Sequence, residues 1–297
     1  ILAYHNVCQH RAHRLLEDEG QIGSRIVCPY HAWAYAPTGE LLFARGSESM
    51  KDFPKCEISL QAVKVEQFCG FVFVNLDPNA ISMRETYPGL EDEILQLAPE
   101  AESLKRAHVQ NFALAANWKN SIENYAECYH CPNRHPSLVN QALDIQQYKI
   151  KVNHNYHRHV TTDVGEQQGY PIDSEIQGGE NFGSWLLWPN TVLEVYPGGN
   201  LTVFNHVPTG RETCLQETEW FFAESTPSAA EREVINFVNE VREEDIPICE
   251  SVQRGLHSQG YRQGKFIVDP AHSFVSEHAV HDFQHKVLKA IQSKGTA

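Results

Sequence analysis

Two short runs near the start of the chain each pair a cysteine with a histidine, and they constrain the fold more than any other feature. Cys8 and His10 lie in the first run, and Cys28 and His31 lie in the second, after seventeen intervening residues. Pairs spaced in this way are typical of two loops that together hold a metal centre. Two thiolates with two imidazoles suit either a tetrahedral structural zinc ion or a two-iron, two-sulfur cluster with mixed ligands.

The residues around both runs favour the iron–sulfur cluster. Asn6-Val7-Cys8-Gln9-His10-Arg11 and Cys28-Pro29-Tyr30-His31-Ala32-Trp33 closely resemble the paired cluster loops of Rieske proteins. The resemblance implies that the two cysteines hold one iron and the two histidines the other, and neutral imidazoles raise the reduction potential of such a cluster. One departure is Ala12, where glycine is usual, so we expect the backbone at Ala12 to avoid a positive φ.

A second group of candidate ligands lies in the middle of the chain. The segment from Asn117 to His130 is predicted to form one helix with an apolar stripe (Trp118, Ile122, Tyr125 and Tyr129) and a polar stripe (Asn120, Glu123, Glu127 and His130). Pro132 is expected to break this helix, and His135 follows just before Pro136. His130 and His135 can therefore converge across a helix end, with Glu127 one turn behind His130.

A carboxylate from a distant part of the chain should complete this site, because mononuclear non-haem iron favours two histidines and one carboxylate. Residues 231–255 are predicted to form a helix, and Asp245 lies between Val241 and Ile248 on its apolar stripe. A buried carboxylate is costly unless it is paired or binds a metal. Pro247 is expected to kink the helix here. The alternative is that Asp245 lies at a solvent-exposed kink with Glu243 and Glu244.

These segments also resemble a known family. The run from Glu123 to His130, with His135-Pro136 after it, is similar to the iron motif of Rieske non-haem iron oxygenase catalytic subunits. The run from Arg242 to Leu256 resembles the ligand segment of the branch that acts on quaternary amines such as carnitine and glycine betaine. The resemblance implies the iron ligands His130, His135 and Asp245. It also implies a bridging carboxylate at Glu127, where most of the wider family has aspartate.

The resemblance further implies an α+β fold with two domains. Residues 1–80 would form a small all-β Rieske domain with an incomplete N-terminus. Residues 81–297 would form a helix-grip catalytic domain, in which long helices hold a curved antiparallel sheet. Each chain would carry one 2Fe-2S Rieske cluster and one mononuclear Fe(II). A homotrimer is expected, with Glu127 linking His130 to a cluster histidine, His31, across the subunit interface, and a separate flavin/ferredoxin-type reductase would supply electrons from NAD(P)H.

Bulk properties narrow the functional class. The 297 residues include 41% hydrophobic ones without a long apolar run, so no membrane association is expected. A formal net charge of -14 argues against nucleic-acid binding and is compatible with a cationic substrate. Eight cysteines scattered through a large chain favour a reducing, cytoplasmic location. Cys128 and Cys131 flank His130, and we interpret them as packed neighbours rather than a redox pair.

Two histidine clusters fall outside the predicted metal sites. His154, His157 and His159 are expected on an exposed strand or turn. His278, His281 and His285 share one face of a predicted C-terminal helix, which we interpret as a solvated or interface face.

The nature of the substrate rests on aromatic residues. Six rings cluster in the region expected to line the pocket (Tyr170, Phe182, Trp185, Trp188, Tyr196 and Phe204), and we expect two or three of them to reach it. Aromatic faces attract quaternary ammonium groups. The leading hypothesis is therefore an oxygenase that uses O2 to hydroxylate a small N-methyl or quaternary ammonium compound, with C–N cleavage. The alternatives are an oxygenase acting on an aromatic acid, a Rieske electron-transfer module and a zinc-stabilised binding protein.

Overall fold

The computed structural model describes residues 1–161, 169–170 and 181–293 of the chain. The chain divides into two units, Ile1–Glu85 and Thr86–Ala297. Within the described residues, no helix combines the length and the apolar character that a bilayer crossing requires.

The first unit consists of two small antiparallel sheets around a compact core. Its strands are β1 (Ala3–Tyr4), β2 (Ile26–Val27), β3 (Ala34–Tyr35), β4 (Leu41–Phe43), β5 (Ala62–Phe68) and β6 (Phe71–Asn75), and its short 3₁₀ turns are Ser47–Ser49 and Lys55–Glu57. One sheet has the order β1-β5-β6 and the other β2-β3-β4. Cys8 and Cys28 belong to the core of this unit, together with Trp33 and Tyr35. The two cysteine loops are therefore anchored by packing.

The second unit is built on a seven-stranded antiparallel sheet. Its strands are β7 (Lys105–Leu114), β8 (Lys149–Val152), β9 (Tyr156–Thr161), β10 (Phe182–Leu187), β11 (Thr191–Val195), β12 (Leu201–Gly210) and β13 (Thr213–Phe222), in the order β7-β13-β12-β11-β10-β9-β8. Along β13 buried side chains alternate with more exposed ones, as expected for a sheet with one covered face. Strands β11 and β12 form a hairpin around a turn in which Gly198 and Gly199 have positive φ.

The helices of the described chain are α1 (Met83–Thr86), α2 (Leu90–Leu97), α3 (Trp118–Tyr125), α4 (Cys131–Arg134), α5 (Pro136–Gln141), α6 (Ala229–Leu256) and α7 (His278–Ser293), and a 3₁₀ turn covers Ala101–Ser103. Ile122 of α3 packs on Leu186, Val192 and Phe204 of the sheet, with Phe283 of α7. Helix α6 contacts both α3 and β7. The sheet thus holds α3 and α6 side by side. Helix α6 contains Asp245, and the segment with His130 and His135 follows the end of α3.

The structure confirms the α+β class, with a small β unit followed by an antiparallel sheet and long helices. The expectation of exposed positions for the first histidine cluster is wrong for two of its members. His157 and His159 lie on β9 with 2% and 1% exposure, because β9 is an inner strand paired with both β8 and β10. His154 is exposed, as predicted.

Candidate metal centres

The two cysteine loops of the first unit share one hydrogen-bond pattern. In each loop the cysteine N–H donates to a carbonyl five residues later at 2.8 Å, and the cysteine carbonyl accepts from the N–H four residues later at 3.0 Å. The pairs are Cys8 with His13 and Ala12, and Cys28 with Trp33 and Ala32. The two loops therefore have the same backbone hydrogen-bond geometry.

The backbone at Ala12 contradicts the expectation from sequence. Ala12 has a φ of 56° and Ala32, its counterpart in the second loop, has a φ of 58°. Closing the turn onto the cysteine carbonyl places the fifth residue in the left-handed region, which costs a non-glycine residue roughly 1–2 kcal/mol. Ala12 therefore adopts the left-handed conformation that the usual glycine would adopt freely, and the backbone is strained there.

The candidate ligand side chains of these loops lie close together. Cys8 and Cys28 are each 2% exposed, and the rings of His10 and His31 are 4.7 Å apart between centroids. Nδ1 of His31 is buried without a hydrogen-bond partner in the described part of the chain, as fits an atom reserved for a metal. Sequence reasoning missed Tyr35, whose hydroxyl lies 3.3 Å from Sγ of Cys8 and accepts the Gln9 N–H. The donor set and the burial of its two thiols fit an iron–sulfur cluster.

In the second unit, three predicted ligands converge. Within the described residues, His130, His135 and Asp245 form a group whose ligand atoms all lie within 4.8 Å of one another. Oδ1 of Asp245 lies 3.0 Å from Nε2 of His135 and 3.5 Å from Nε2 of His130. Two imidazoles and one carboxylate on one side of a point are the donor set that suits non-haem iron with open positions.

Each of the two imidazoles is hydrogen-bonded at Nδ1 to a carboxylate. Oε1 of Glu127 lies 2.6 Å from Nδ1 of His130, and Oε2 of Glu244 lies 2.7 Å from Nδ1 of His135. Each carboxylate therefore accepts the Nδ1 hydrogen and leaves the Nε2 lone pair free for a metal. Sequence reasoning missed this place for Glu244 and considered it only at an exposed kink. Its one available signal was its position beside Asp245 on the same helix.

The local structure around Glu127 differs from the predicted long helix. Helix α3 ends at Tyr125, Tyr129 is 48% exposed, and Pro132 lies in the first turn of the separate helix α4. Oε2 of Glu127 accepts the backbone N–H groups of Tyr129 and His130, which a continuing helix would have bonded to its own carbonyls. The side chain that orients His130 thus also ends the helix.

Asp245 is presented by a long continuous helix. Helix α6 runs from Ala229 to Leu256 and contains Pro247. The side chain of Asp245 is 18% exposed, and its Oδ1 accepts from Nδ2 of Asn124 at 3.2 Å. The buried face of α6 does not continue through the apolar residue Val252, which is 46% exposed, while the neighbouring Gln253 is buried. Asp245 therefore faces α3 rather than solvent, contrary to the exposed alternative.

The pKa values of His130 and Asp245 depend on each other, because the two side chains are hydrogen-bonded. Burial lowers the pKa of His130, but hydrogen bonds with Asp245 and Glu127 outweigh it and raise the pKa to about 9. Burial raises the pKa of Asp245, but hydrogen bonds with His130 and His135 outweigh it and lower the pKa to about 2. The carboxyl of Asp245 is therefore deprotonated at neutral pH, as a carboxylate ligand of a metal must be.

Cys128 and Cys131, on either side of His130, form a disulfide. Our interpretation of these residues as packed neighbours is wrong in this respect. Both side chains are buried in the main core of the second unit, at 2% and 4% exposure.

A cavity of about 690 Å³, including space open to solvent, has the three candidate ligands in its wall. Five aromatic residues also line it: Tyr125, Tyr148, Phe182, Tyr196 and Phe204. Three of the six predicted rings are thus present, in agreement with the expectation of two or three. The other three are used in packing or hydrogen bonding elsewhere: Trp185 donates to Glu93, Trp188 packs on Phe283, and Tyr170 packs on Phe237.

The cavity wall also contains a buried ion pair that sequence reasoning missed. An Nη of Arg242 donates to Oε2 of Glu194 at 2.6 Å, and both side chains are at least nine-tenths buried. Glu194 lies on β11 and Arg242 on α6, 48 residues apart, so no local pattern could have paired them. The Arg242 guanidinium stacks on the Phe204 ring at 3.6 Å.

Comparison with known proteins identifies the two units. Residues 1–54 match the Rieske [2Fe-2S] domain family, and residues 100–293 match the ring hydroxylating alpha subunit (catalytic domain) family. The carnitine monooxygenase oxygenase subunit of Escherichia coli is 37% identical over 98% of this chain and 78% of its own length.

Solved structures agree with this match. One solved structure is that of a quaternary ammonium Rieske monooxygenase, described as giving insight into carnitine oxidation and inter-subunit electron transfer. It aligns with a TM-score of 0.80 at 34% identity, over 96% of this chain and 78% of that one. Naphthalene 1,2-dioxygenase from Rhodococcus sp. aligns with a TM-score of 0.66 at 17% identity, over 95% and 78% of the two chains, and shows the shared fold. The chain therefore belongs to the Rieske ring-hydroxylating oxygenase alpha subunits, enzymes that combine an iron–sulfur domain with a catalytic iron domain.

Proposed function

We propose that this chain is the oxygenase subunit of a Rieske monooxygenase that hydroxylates a small quaternary ammonium compound. The observation that carries the proposal is the convergence of His130, His135 and Asp245 in the wall of an aromatic-lined cavity. The similarity to carnitine monooxygenase subunits over almost the whole chain supports the substrate class.

The metal sites follow from the donor sets. We assign His130, His135 and Asp245 as iron ligands, and Cys8, His10, Cys28 and His31 as ligands of one 2Fe-2S cluster. When bound, the iron and the cluster supply oxygen activation and electron storage. Residues 1–80 would then form the Rieske domain and residues 81–297 the catalytic domain, with one cluster and one mononuclear iron in each chain.

The protein's own residues orient the two ligand histidines and bind the substrate. Glu127 and Glu244 hold the Nδ1 hydrogens of the two ligand histidines and so fix the directions in which the Nε2 atoms point. The aromatic rings of the cavity face a cationic headgroup by cation–π attraction, worth about 2 kcal/mol when water is excluded. Phe182, Tyr196 and Phe204 are the predicted rings that line the cavity.

The proposed reaction inserts one oxygen atom of O2 into a C–H bond next to nitrogen. Two electrons and two protons reduce the other oxygen atom to water. The resulting α-hydroxy ammonium compound breaks its C–N bond and releases an amine and an aldehyde. The nearby rings would contact the cationic headgroup during this step.

Electron delivery requires partners. A member of this family receives electrons from a reductase, and we propose one of the flavin/ferredoxin type that uses NAD(P)H in the cytoplasm. We further propose a homotrimer, in which Glu127 connects His130 to His31 of the partner subunit. The inter-subunit electron transfer studied in the related monooxygenase supports this arrangement.

Single-turnover reoxidation of the reduced protein tests the function. The visible band of the Rieske cluster would be followed after O2 is added, with carnitine, glycine betaine, choline or an aromatic acid present. We expect a quaternary ammonium compound to accelerate reoxidation and to yield an amine and an aldehyde in stoichiometric amount. A response to aromatic acids alone would contradict the substrate class.

Metal analysis of the same sample separates the remaining alternatives. We expect about three irons per chain, two in the cluster and one in the mononuclear site. Two irons would indicate an electron-transfer module, and zinc in place of iron would indicate a structural metal site.

A further inference from the structure

One part of the cavity wall contains a short hydrogen-bond chain on neighbouring elements. Nε2 of Gln216 on β13 donates to Oγ of Ser121 on α3 at 2.8 Å, and Oγ of Ser121 lies 2.8 Å from Nδ1 of His206 on β12. Since an amide nitrogen can only donate, Ser121 accepts from Gln216 and has its own hydrogen available for His206. A neutral His206 that accepts at Nδ1 carries its hydrogen on Nε2.

The surroundings keep His206 neutral. Burial and the nearby Arg242 charge lower the pKa of His206 to about 3. The residue is fully buried and lines the cavity, and its Nε2 has no hydrogen-bond partner among the described residues. His206 thus presents an unpaired N–H donor in a buried wall.

Arg242 presents a second unpaired donor in the same wall. One Nη is used by Glu194 and the flat face of the guanidinium lies on Phe204, but Nε is buried without a partner in the part of the chain that the structure describes. The Phe204 ring also contacts His206, at 4.3 Å between ring centroids. One aromatic side chain therefore supports both donors.

Two buried N–H groups without acceptors are unfavourable unless a ligand supplies the acceptors. A carboxylate matches them, because it offers two oxygens and favours a donor that carries positive charge. A quaternary ammonium group cannot match them, since it accepts no hydrogen bond. The donors therefore belong with an anionic group of the ligand, while the aromatic rings of the same cavity suit its cationic end.

We propose that His206 Nε2 and Arg242 Nε form a carboxylate subsite, so that the enzyme selects zwitterionic betaines over plain quaternary cations. Gln216 and Ser121 act as positioning residues that fix the tautomer of His206. This inference rests on the proposed function and narrows its substrate class.

Paired ligands that differ in the carboxylate test the proposal. The dissociation constants of γ-butyrobetaine and its methyl ester would be measured by titration calorimetry on the iron-loaded protein. The two compounds share the trimethylammonium group and the chain length, and the ester replaces the carboxylate by a neutral group that carries one additional methyl. We expect the free acid to bind at least about tenfold more tightly than the ester.

Two substitutions test whether the preference for the free acid depends on His206 and Arg242. His206→Phe keeps a ring but removes the donor, and Arg242→Lys keeps a cation for Glu194 but removes Nε. We expect either change to reduce the preference for the free acid to less than about threefold, while the ester binds as in the wild type. His154→Phe, at an exposed position of the same unit, is the matched control and should keep the full preference.

The outcomes are distinguishable. Equal wild-type binding of acid and ester would overturn the carboxylate subsite but leave the quaternary ammonium substrate class standing. A preference that persists in both variants, each shown to be folded by its thermal transition and cluster spectrum, would overturn the assignment to His206 and Arg242. Failure of both ligands to bind the wild type would overturn the proposed substrate class and the subsite with it.

Discussion

Glu127 combines two tasks that usually belong to different residues. Its Oε1 takes the Nδ1 hydrogen of His130, and its Oε2 caps the backbone N–H groups after the end of α3. The second task fixes the carboxylate, and a fixed carboxylate fixes the imidazole. A side chain held at both oxygens in this way has little freedom to reorient. We propose that this fixed carboxylate connects His130 to an electron donor, as the family resemblance implies.

Replacing Glu127 tests that role. We expect Glu127→Ala to retain iron and cluster but to slow cluster reoxidation by roughly 10- to 100-fold, because the orientation of His130 is lost. Metal content and stopped-flow absorbance would be measured together. Glu243→Ala, which removes an exposed carboxylate two residues before Asp245, is the matched control. Normal turnover and coupling in Glu127→Ala would show that the carboxylate carries no such connection.

Helix α6 is the element that joins the candidate metal site to the cavity. Over four consecutive residues it places Arg242 against Glu194, Glu244 against His135, and Asp245 between the two ligand histidines. Its start is defined by a capping box, in which Ser228 and Glu231 bond each other's backbone N–H groups. Because these three side chains share one rigid helix, a shift of α6 would disturb all of them together.

The capping box makes a prediction about stability. We expect Ser228→Ala to lower the free energy of unfolding by about 1 kcal/mol, because an N–H of the first turn loses its acceptor. Urea denaturation measures this change. Ser251→Ala, at an exposed position within the same helix, should change the stability by less than about 0.5 kcal/mol. Equal effects of the two substitutions would argue against a stabilising cap.

At the scale of the whole molecule, the second unit buries histidines in their neutral form. Burial lowers the pKa of both His159 and His206 to about 3, with further lowering by neighbouring positive or protonatable groups. In the unfolded chain these side chains titrate near about 6.5. Between these two pKa values the unfolded state binds protons that the folded state does not, so acid shifts the equilibrium toward unfolding.

Acid is expected to lower the free energy of unfolding over a defined pH range. The contribution of each histidine to stability is complete above about pH 6.5 and is lost progressively as the pH falls toward 3, reaching about 1.4 kcal/mol of loss per histidine at pH 5.5. Urea denaturation of wild type and His159→Phe at pH 7.5 and 5.5 measures it. We expect a shallower pH slope in the variant, whatever its absolute stability. Identical slopes would contradict a neutral buried His159.

Sequence reasoning was most successful where chemistry depends on local spacing. The cysteine and histidine pairs, the two histidines near Pro132 and the carboxylate on a predicted helix are readable because loop and helix periodicities are short. It was wrong where a side chain competed with the backbone. The helix at Glu127 ends early because a carboxylate replaces helical carbonyls as the hydrogen-bond acceptor, and Ala12 takes a positive φ because the turn requires it.

By itself, the sequence determined the candidate metal-ligand residues, the α+β class and the family resemblance, since these depend on residue identity and on periodicity along the chain. Only the tertiary structure decided the place of Glu244 behind His135, the pairing of Arg242 with Glu194, and the burial of His206. Each of these joins elements separated by tens of residues in the chain or depends on which face of the sheet is covered. Such contacts form only after the burial of apolar surface has brought distant segments together, and no local pattern encodes that.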